Sequence, residues 1–166
     1  HQATVEGATV RRALPRRGRR TVGAWCFADH FGPAAVTENA GMDVGPHPHM
    51  GLHTVTWLVE GQLLHRDSLG SEQVIRPGQL NLMTAGAGIA HAEEATGQHL
   101  GTLQGIQLWV AQPDAVRFGS AAFEHHGALP QVEVDGGVAT VLIGELGGAR
   151  STARADTPLI GAELLL

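Results

Sequence analysis

The chain has 166 residues, 43% of them hydrophobic, a formal net charge of −5 and a single cysteine, Cys26. That length and apolar content suit one ordinary domain with a sizeable core, while the cysteine count excludes an internal disulfide and a cysteine-built zinc site. The negative balance is the wrong sign for a nucleic-acid surface, and the absence of lysine excludes Schiff-base and lysine-base chemistry.

In chain order, RRALPRRGRR (11–20) breaks the negative trend. No aromatic residue interleaves with its arginines, so it reads as a solvated face or as partners for local carboxylates. TVGAWCFADHFG (21–32) mixes β-branched and aromatic residues and predicts a strand, or a strand pair, that runs into a turn at Gly32-Pro33. HTVTWLVEGQLLHRDS (53–68) alternates with period two on both sides of Glu60-Gly61 and predicts a hairpin, with Thr54, Thr56 and Leu58 on one face and Val55, Trp57 and Val59 on the other. EQVIR, QLNLMT, GAGIAHAEEA (86–95) and GTLQGIQLWVAQP (101–113) are further short apolar segments between turns. Strands at such even spacing predict a sandwich or barrel, and no helical period interrupts them before residue 113. Beyond it, PDAVRFGSAAFEHHGALP is loose and polar, QVEVDGGVATVLIGEL predicts a hairpin around Asp135-Gly136-Gly137, and GAELLL is an apolar strand in search of partners.

The histidines carry the chemistry. Residues i and i+2 of a strand share a face, so His47 and His49 point together, roughly 6 to 7 Å apart at their Cα atoms. His91 and Glu93 repeat the same spacing after enough strands to return beside the first pair. Three nitrogens and a carboxylate oxygen suit a divalent first-row metal and leave coordination positions open. His53, an even offset from His49, reads as a wall residue or one that supports a ligand, and His65 either lines the cavity or bonds Asp67. Adjacent His125 and His126 point apart and read as solvated loop residues. Trp57 and Met50 either flank the pocket or pack in the core, the commoner role for such residues in a barrel.

RRTVGAWCFADHFGPA, GPHPHMGLHTVTWLVEG and HRDSLGSEQVIRPGQLNLMTAGAGIAHAEE resemble, in that order, the pirin family of the cupin superfamily. The resemblance implies an all-β cupin, a double-stranded β-helix or jelly-roll barrel, with residues 1–112 as a complete N-terminal cupin domain. Residues 113–166 would be the connector and opening strands of a truncated C-terminal cupin. It places the metal ligands on His47, His49, His91 and Glu93 and implies Fe(II), although copper, nickel, manganese or zinc also suit such a donor set. It further implies a quercetin 2,3-dioxygenase-type activity on a small aromatic flavonol, with Glu93 as catalytic base. The alternative is a non-enzymatic, iron-dependent redox sensor that docks a transcription factor or metabolic enzyme through a protein contact surface that includes residues 11–20. With no apolar run of about 18 residues and no charged-then-apolar leader, the expectation is a soluble, cytoplasmic protein without membrane or nucleic-acid partners.

Overall fold

Short runs of alternating burial between glycine turns give this chain β-structure throughout. A computed structural model defines the fold for residues 1–5 and 7–166. The strands are β1 (Gln2–Val5), β2 (Ala8–Leu14), β3 (Trp25–Val36), β4 (Val44–His49), β5 (Leu52–Glu60), β6 (Leu63–Asp67), β7 (Glu72–Ile75) and β8 (Leu80–Thr84). They continue as β9 (Ile89–Glu94), β10 (Gly101–Ala111), β11 (Ala122–His126), β12 (Gln131–Val134), β13 (Gly137–Ile143), β14 (Glu145–Leu146), β15 (Ala149–Arg150) and β16 (Gly161–Leu165). Among the described residues there is no helix, and so none long and apolar enough to cross a membrane.

A seven-stranded sheet in the order β1-β2-β3-β10-β5-β8-β11 faces a four-stranded sheet in the order β4-β9-β6-β7. Every pairing is antiparallel. The two inner faces meet in a core that joins Val10, Phe31, Leu58 and Leu103 of the large sheet to Leu63 and Ile75 of the small one. This is the jelly-roll barrel of a cupin, the architecture expected from the sequence.

Both faces of β5 are buried, and the predicted alternation explains how. Leu58 joins the barrel core, whereas Val55 and Trp57 point outward with Leu80 and Leu82 against Leu142 and Ile143 of β13. The outer face of the large sheet is thus covered by a third sheet, of three strands, β12-β13-β16. The Trp57 indole donates to Glu163 Oε1 at 3.1 Å across this contact.

Three local expectations need correction. The segment 53–68 is not a hairpin: β5 pairs with β8 and β10, while β6 pairs with β7 and β9 in the opposite sheet. Gly61, at φ +90°, carries the chain between the sheets, and a Cβ there would lie 2.5 Å from the Thr102 carbonyl oxygen. Gly32-Pro33 does not end its strand but forms a bulge inside β3. Leu103 pairs with Ala34 and Gly105 with Phe31, so two residues of β3 face one of β10. A proline without an N–H and a glycine at φ +76° are tolerated at such a position. Finally, the loose stretch after Pro113 contains β11, which pairs with β8 at the edge of the large sheet. The predicted β12–β13 hairpin is present, with Val134 paired to Gly137. The terminal segment pairs on one side as β16 with β13, leaving Leu164 and Leu165 exposed.

Candidate metal centre

β4 and β9 lie side by side in the small sheet, with His47 directly opposite His91 and His49 opposite Ile89. A bulge at Gly45-Pro46 lets two residues of β4 span one of β9, so that Val44 faces Glu93. The even spacing keeps His47, His49 and His91 on the inner face, where one ring nitrogen from each lies within 4.8 Å of the others. The rings of His47 and His91 are 4.4 Å apart at their centroids, and His49 Nε2 is 3.1 Å from His91 Nε2. Imidazole nitrogens bound at about 2.0–2.1 Å to one ion sit roughly 3.0–3.4 Å from each other in octahedral or tetrahedral arrangements, so the 3.1 Å between His49 and His91 fits a shared metal.

The electrostatic setting also suits a metal. Burial, reinforced by His47, pushes the His49 pKa down to about 4. Burial also pushes His91 down to about 2, with further repulsion from His47, His65 and His49. Both rings are therefore neutral near pH 7, as ligation requires. His47 Nδ1 lies 2.8 Å from the Gly45 carbonyl oxygen. Since a carbonyl only accepts, Nδ1 carries a proton, and Nε2 is the nitrogen that faces a metal.

Glu93 stands apart from the three-histidine group, whose mutual 4.8 Å spacing it does not share. Its carboxyl lines the same cavity, and Thr56 Oγ1 donates to Oε1 at 2.9 Å. Part of its surface stays open to the cavity, but protein crowds the carboxyl, and that burial raises its pKa against the opposing pull of Thr56, His65 and His47. Thr56 Oγ1 also lies 3.0 Å from Gln107 Oε1. One hydroxyl proton cannot serve both oxygens, so a Gln107 amide turned to donate to Thr56 satisfies the whole chain.

The histidines open onto a cavity between the two sheets. Its walls include Phe27, Phe31, Met42 and Trp109. Neither Trp57 nor Met50 belongs to it: Trp57 packs on the outer face of the large sheet, and Met50 is 58% exposed. The aromatic wall is instead a stack. The Arg12 guanidinium lies 4.6 Å above the Phe27 ring, Phe27 stacks on Trp109 at 4.0 Å, and Trp109 meets the His49 ring edge-on at 5.0 Å. Arg12 is fixed by a two-pronged ion pair with buried Asp29, at 2.8 and 2.7 Å. The basic stretch thus supplies a local carboxylate partner at Arg12, whereas Arg16, Arg17, Arg19 and Arg20 are exposed.

His65 and His53 are both buried outside the group of three. His65 Nε2 lies 3.0 Å from Asp67 Oδ2, and its Nδ1 lies 3.4 Å from His91 Nδ1. His53 Nδ1 meets Thr84 Oγ1 at 3.0 Å. Its Nε2 lies 3.0 Å from Asp156 Oδ2, although out of line for a hydrogen bond. His53 therefore ties the barrel to the 151–157 segment. His125 and His126 are strand rather than loop residues, bonded to Asn81 at 2.7 Å and Glu124 at 3.0 Å.

An all-β barrel of two facing sheets with three imidazoles converging at the inner face defines a cupin built to hold a metal ion. The Pirin family model matches residues 7–110, more than half of the sequence, and the chain belongs to the pirin family. It is 51% identical over 158 residues to the "Putative quercetin 2,3-dioxygenase PA1205" of Pseudomonas aeruginosa, covering 95% of this chain and 50% of that protein. It is 44% identical to a pirin-like protein of Caulobacter vibrioides, over 90% of this chain and 54% of that one. The crystal structure of a quercetin 2,3-dioxygenase from Acinetobacter baumannii superposes with a TM-score of 0.94 at 49% identity, over 99% of this chain and 55% of that one. The chain thus spans about half the length of the curated relatives it matches.

Proposed function

We propose that this chain carries the metal-bearing barrel of a quercetin 2,3-dioxygenase-type enzyme that acts on flavonols, with Fe(II) held by His47, His49 and His91 and with Glu93 as fourth ligand and catalytic base. In this reading residues 1–112 form the first cupin domain, with β11 reaching back to complete its large sheet, and the strands after it belong to a second unit. The observation that carries the proposal is the convergence of three imidazoles on a cavity that also holds the Glu93 carboxyl and a stacked aromatic wall. The names of the relatives from Pseudomonas and Acinetobacter support the same substrate class.

When bound, iron would supply a Lewis acid for the adjacent hydroxyl and keto oxygens of a flavonol and a redox partner for dioxygen. The protein supplies the rest. Phe27, Phe31, Met42 and Trp109 line the cavity with apolar surface suited to a planar polycyclic substrate. Glu93, its pKa raised by burial, is suited to take the flavonol hydroxyl proton near neutral pH. Thr56 holds one carboxyl oxygen by a hydrogen bond of 2.9 Å.

The test is to add quercetin to the iron-loaded protein without oxygen, record the flavonol absorption band, and then admit oxygen. A shifted band followed by bleaching with release of carbon monoxide is the expected result. An unperturbed band would overturn the enzymatic reading and favour a regulatory binding protein. Glu93→Gln should retain the metal and lose turnover, and full activity in that variant would remove the base assignment.

A further inference from the structure

We propose that His65 and Asp67 are positioning residues for the centre: with His91 they form a carboxylate–imidazole–imidazole chain that fixes the His91 ring proton on Nδ1 and turns its Nε2 lone pair toward His47 and His49. The inference rests on the reading of those three histidines as metal ligands, but not on the dioxygenase reaction.

The chain of donors and acceptors has one consistent solution with neutral rings. The Asp67 side chain is fully buried, and its Oδ1 accepts the backbone N–H groups of Leu69 at 2.9 Å and Ser71 at 3.1 Å. Its Oδ2 faces His65 Nε2 at 3.0 Å. An ionised carboxylate only accepts, so His65 Nε2 must carry the hydrogen. The neutral His65 ring then presents a lone pair at Nδ1, and the group it faces at 3.4 Å is His91 Nδ1. His91 must therefore donate from Nδ1, which leaves Nε2 unprotonated. That nitrogen is the one 3.1 Å from His49 Nε2.

The geometry also resists rearrangement. The His65 ring stacks on Phe123 of β11 with centroids 4.3 Å apart and planes 14° from parallel. Asp67 pairs directly opposite His91, and His65 opposite Glu93, in the β6–β9 ladder. A strand that contributes no ligand thus sets the orientation of one that does. The Gly45 carbonyl performs the same service for His47 at 2.8 Å. Partners of this kind typically change metal affinity by about 10- to 100-fold when removed.

The substitution Asp67→Asn tests the direction of the chain. An amide NH₂ turned toward His65 needs an acceptor at Nε2, which moves the His65 proton to Nδ1 and forces the His91 proton onto Nε2. Asn keeps an oxygen for the Leu69 and Ser71 amides. His65→Phe removes the acceptor while preserving a ring to stack on Phe123. Both variants should lose about 10- to 100-fold in zinc(II) affinity, measured by competition with a chromophoric chelator. Nitrogen-15 NMR of the histidine rings in metal-free wild-type protein should show His91 protonated at Nδ1 and His65 at Nε2. His91 protonated at Nε2 in the wild type would overturn the proposal whether or not either variant folds. So would zinc affinity within twofold of wild type in both folded variants. A protein that shows the expected tautomers but never bleaches quercetin keeps this chain and loses only the oxygenase reading.

Discussion

Replacing Arg12 by alanine probes the support of the aromatic wall most sharply. Arg12 makes two charge-assisted hydrogen bonds, of 2.8 and 2.7 Å, to an Asp29 carboxylate that is 4% exposed. Breaking a buried pair by removing one member costs about 3–5 kcal/mol, chiefly because the other charge stays buried without a partner. The Arg12 side chain is 24% exposed, so water would reach Asp29 through the space it leaves, and the low end of about 3 kcal/mol is expected. For a chain of this size that corresponds to a fall in Tm of roughly 6–12 °C. Urea unfolding should show a lower midpoint at unchanged slope, with a weakened near-ultraviolet signal from the Phe27–Trp109 stack. Arg12→Met combined with Asp29→Leu should recover most of the loss, because no charge is then stranded. A loss below about 1 kcal/mol for Arg12→Ala, the value of an exposed pair, would refute the reasoning. So would a double variant no more stable than the single one.

Further outcomes follow from the same geometry. The unfolded chain accepts protons that folded His49 and His91 refuse, so stability of the metal-free protein should fall as pH drops from about 6.5 through the His49 value of about 4. Glu93, shifted upward, works in the opposite sense, so Glu93→Gln should steepen that fall, and urea midpoints across the range decide both points. Trp57→Ala empties the contact between the large sheet and β13 and should cost about 3–5 kcal/mol, with thermal unfolding as the readout. Thr56→Val strips the donor from Glu93 Oε1 and should cost about 1–3 kcal/mol at neutral pH, whereas Thr56→Ser should cost much less. The Cys26 thiol, raised by burial and donating to the Trp109 carbonyl at 3.6 Å, should react slowly with a thiol reagent until the protein is unfolded.

The clustering of the three histidines was legible because strand periodicity is local. The i, i+2 spacing of His47 with His49, and of His91 with Glu93, fixes shared faces whatever the rest of the chain does. Which strands lie side by side is not local, and there the sequence misled. The alternation of 53–68 has the same form in a hairpin as in two strands of opposite sheets, and the long-range pairing of β5 with β8 and β10 and of β6 with β7 and β9 distinguishes them. Gly32-Pro33 carries turn chemistry that a bulge uses equally well. The aromatic wall was missed although its signal was present: Leu103, Gly105, Gln107 and Trp109 share one parity on β10, as Phe27, Asp29 and Phe31 do on β3. Arg12 and Asp29 lie far apart in sequence, and their pairing needs the β2–β3 register. The separation of Glu93 from the three imidazoles depends on side-chain direction, which spacing along a strand does not specify.

The most direct measurement is X-ray absorption on protein loaded anaerobically with iron(II), together with metal content per chain. One ion per chain with three imidazoles in its coordination shell is expected, and His91→Ala should abolish stoichiometric loading. Undiminished loading in a folded variant with His47, His49 and His91 all replaced by alanine would contradict the account.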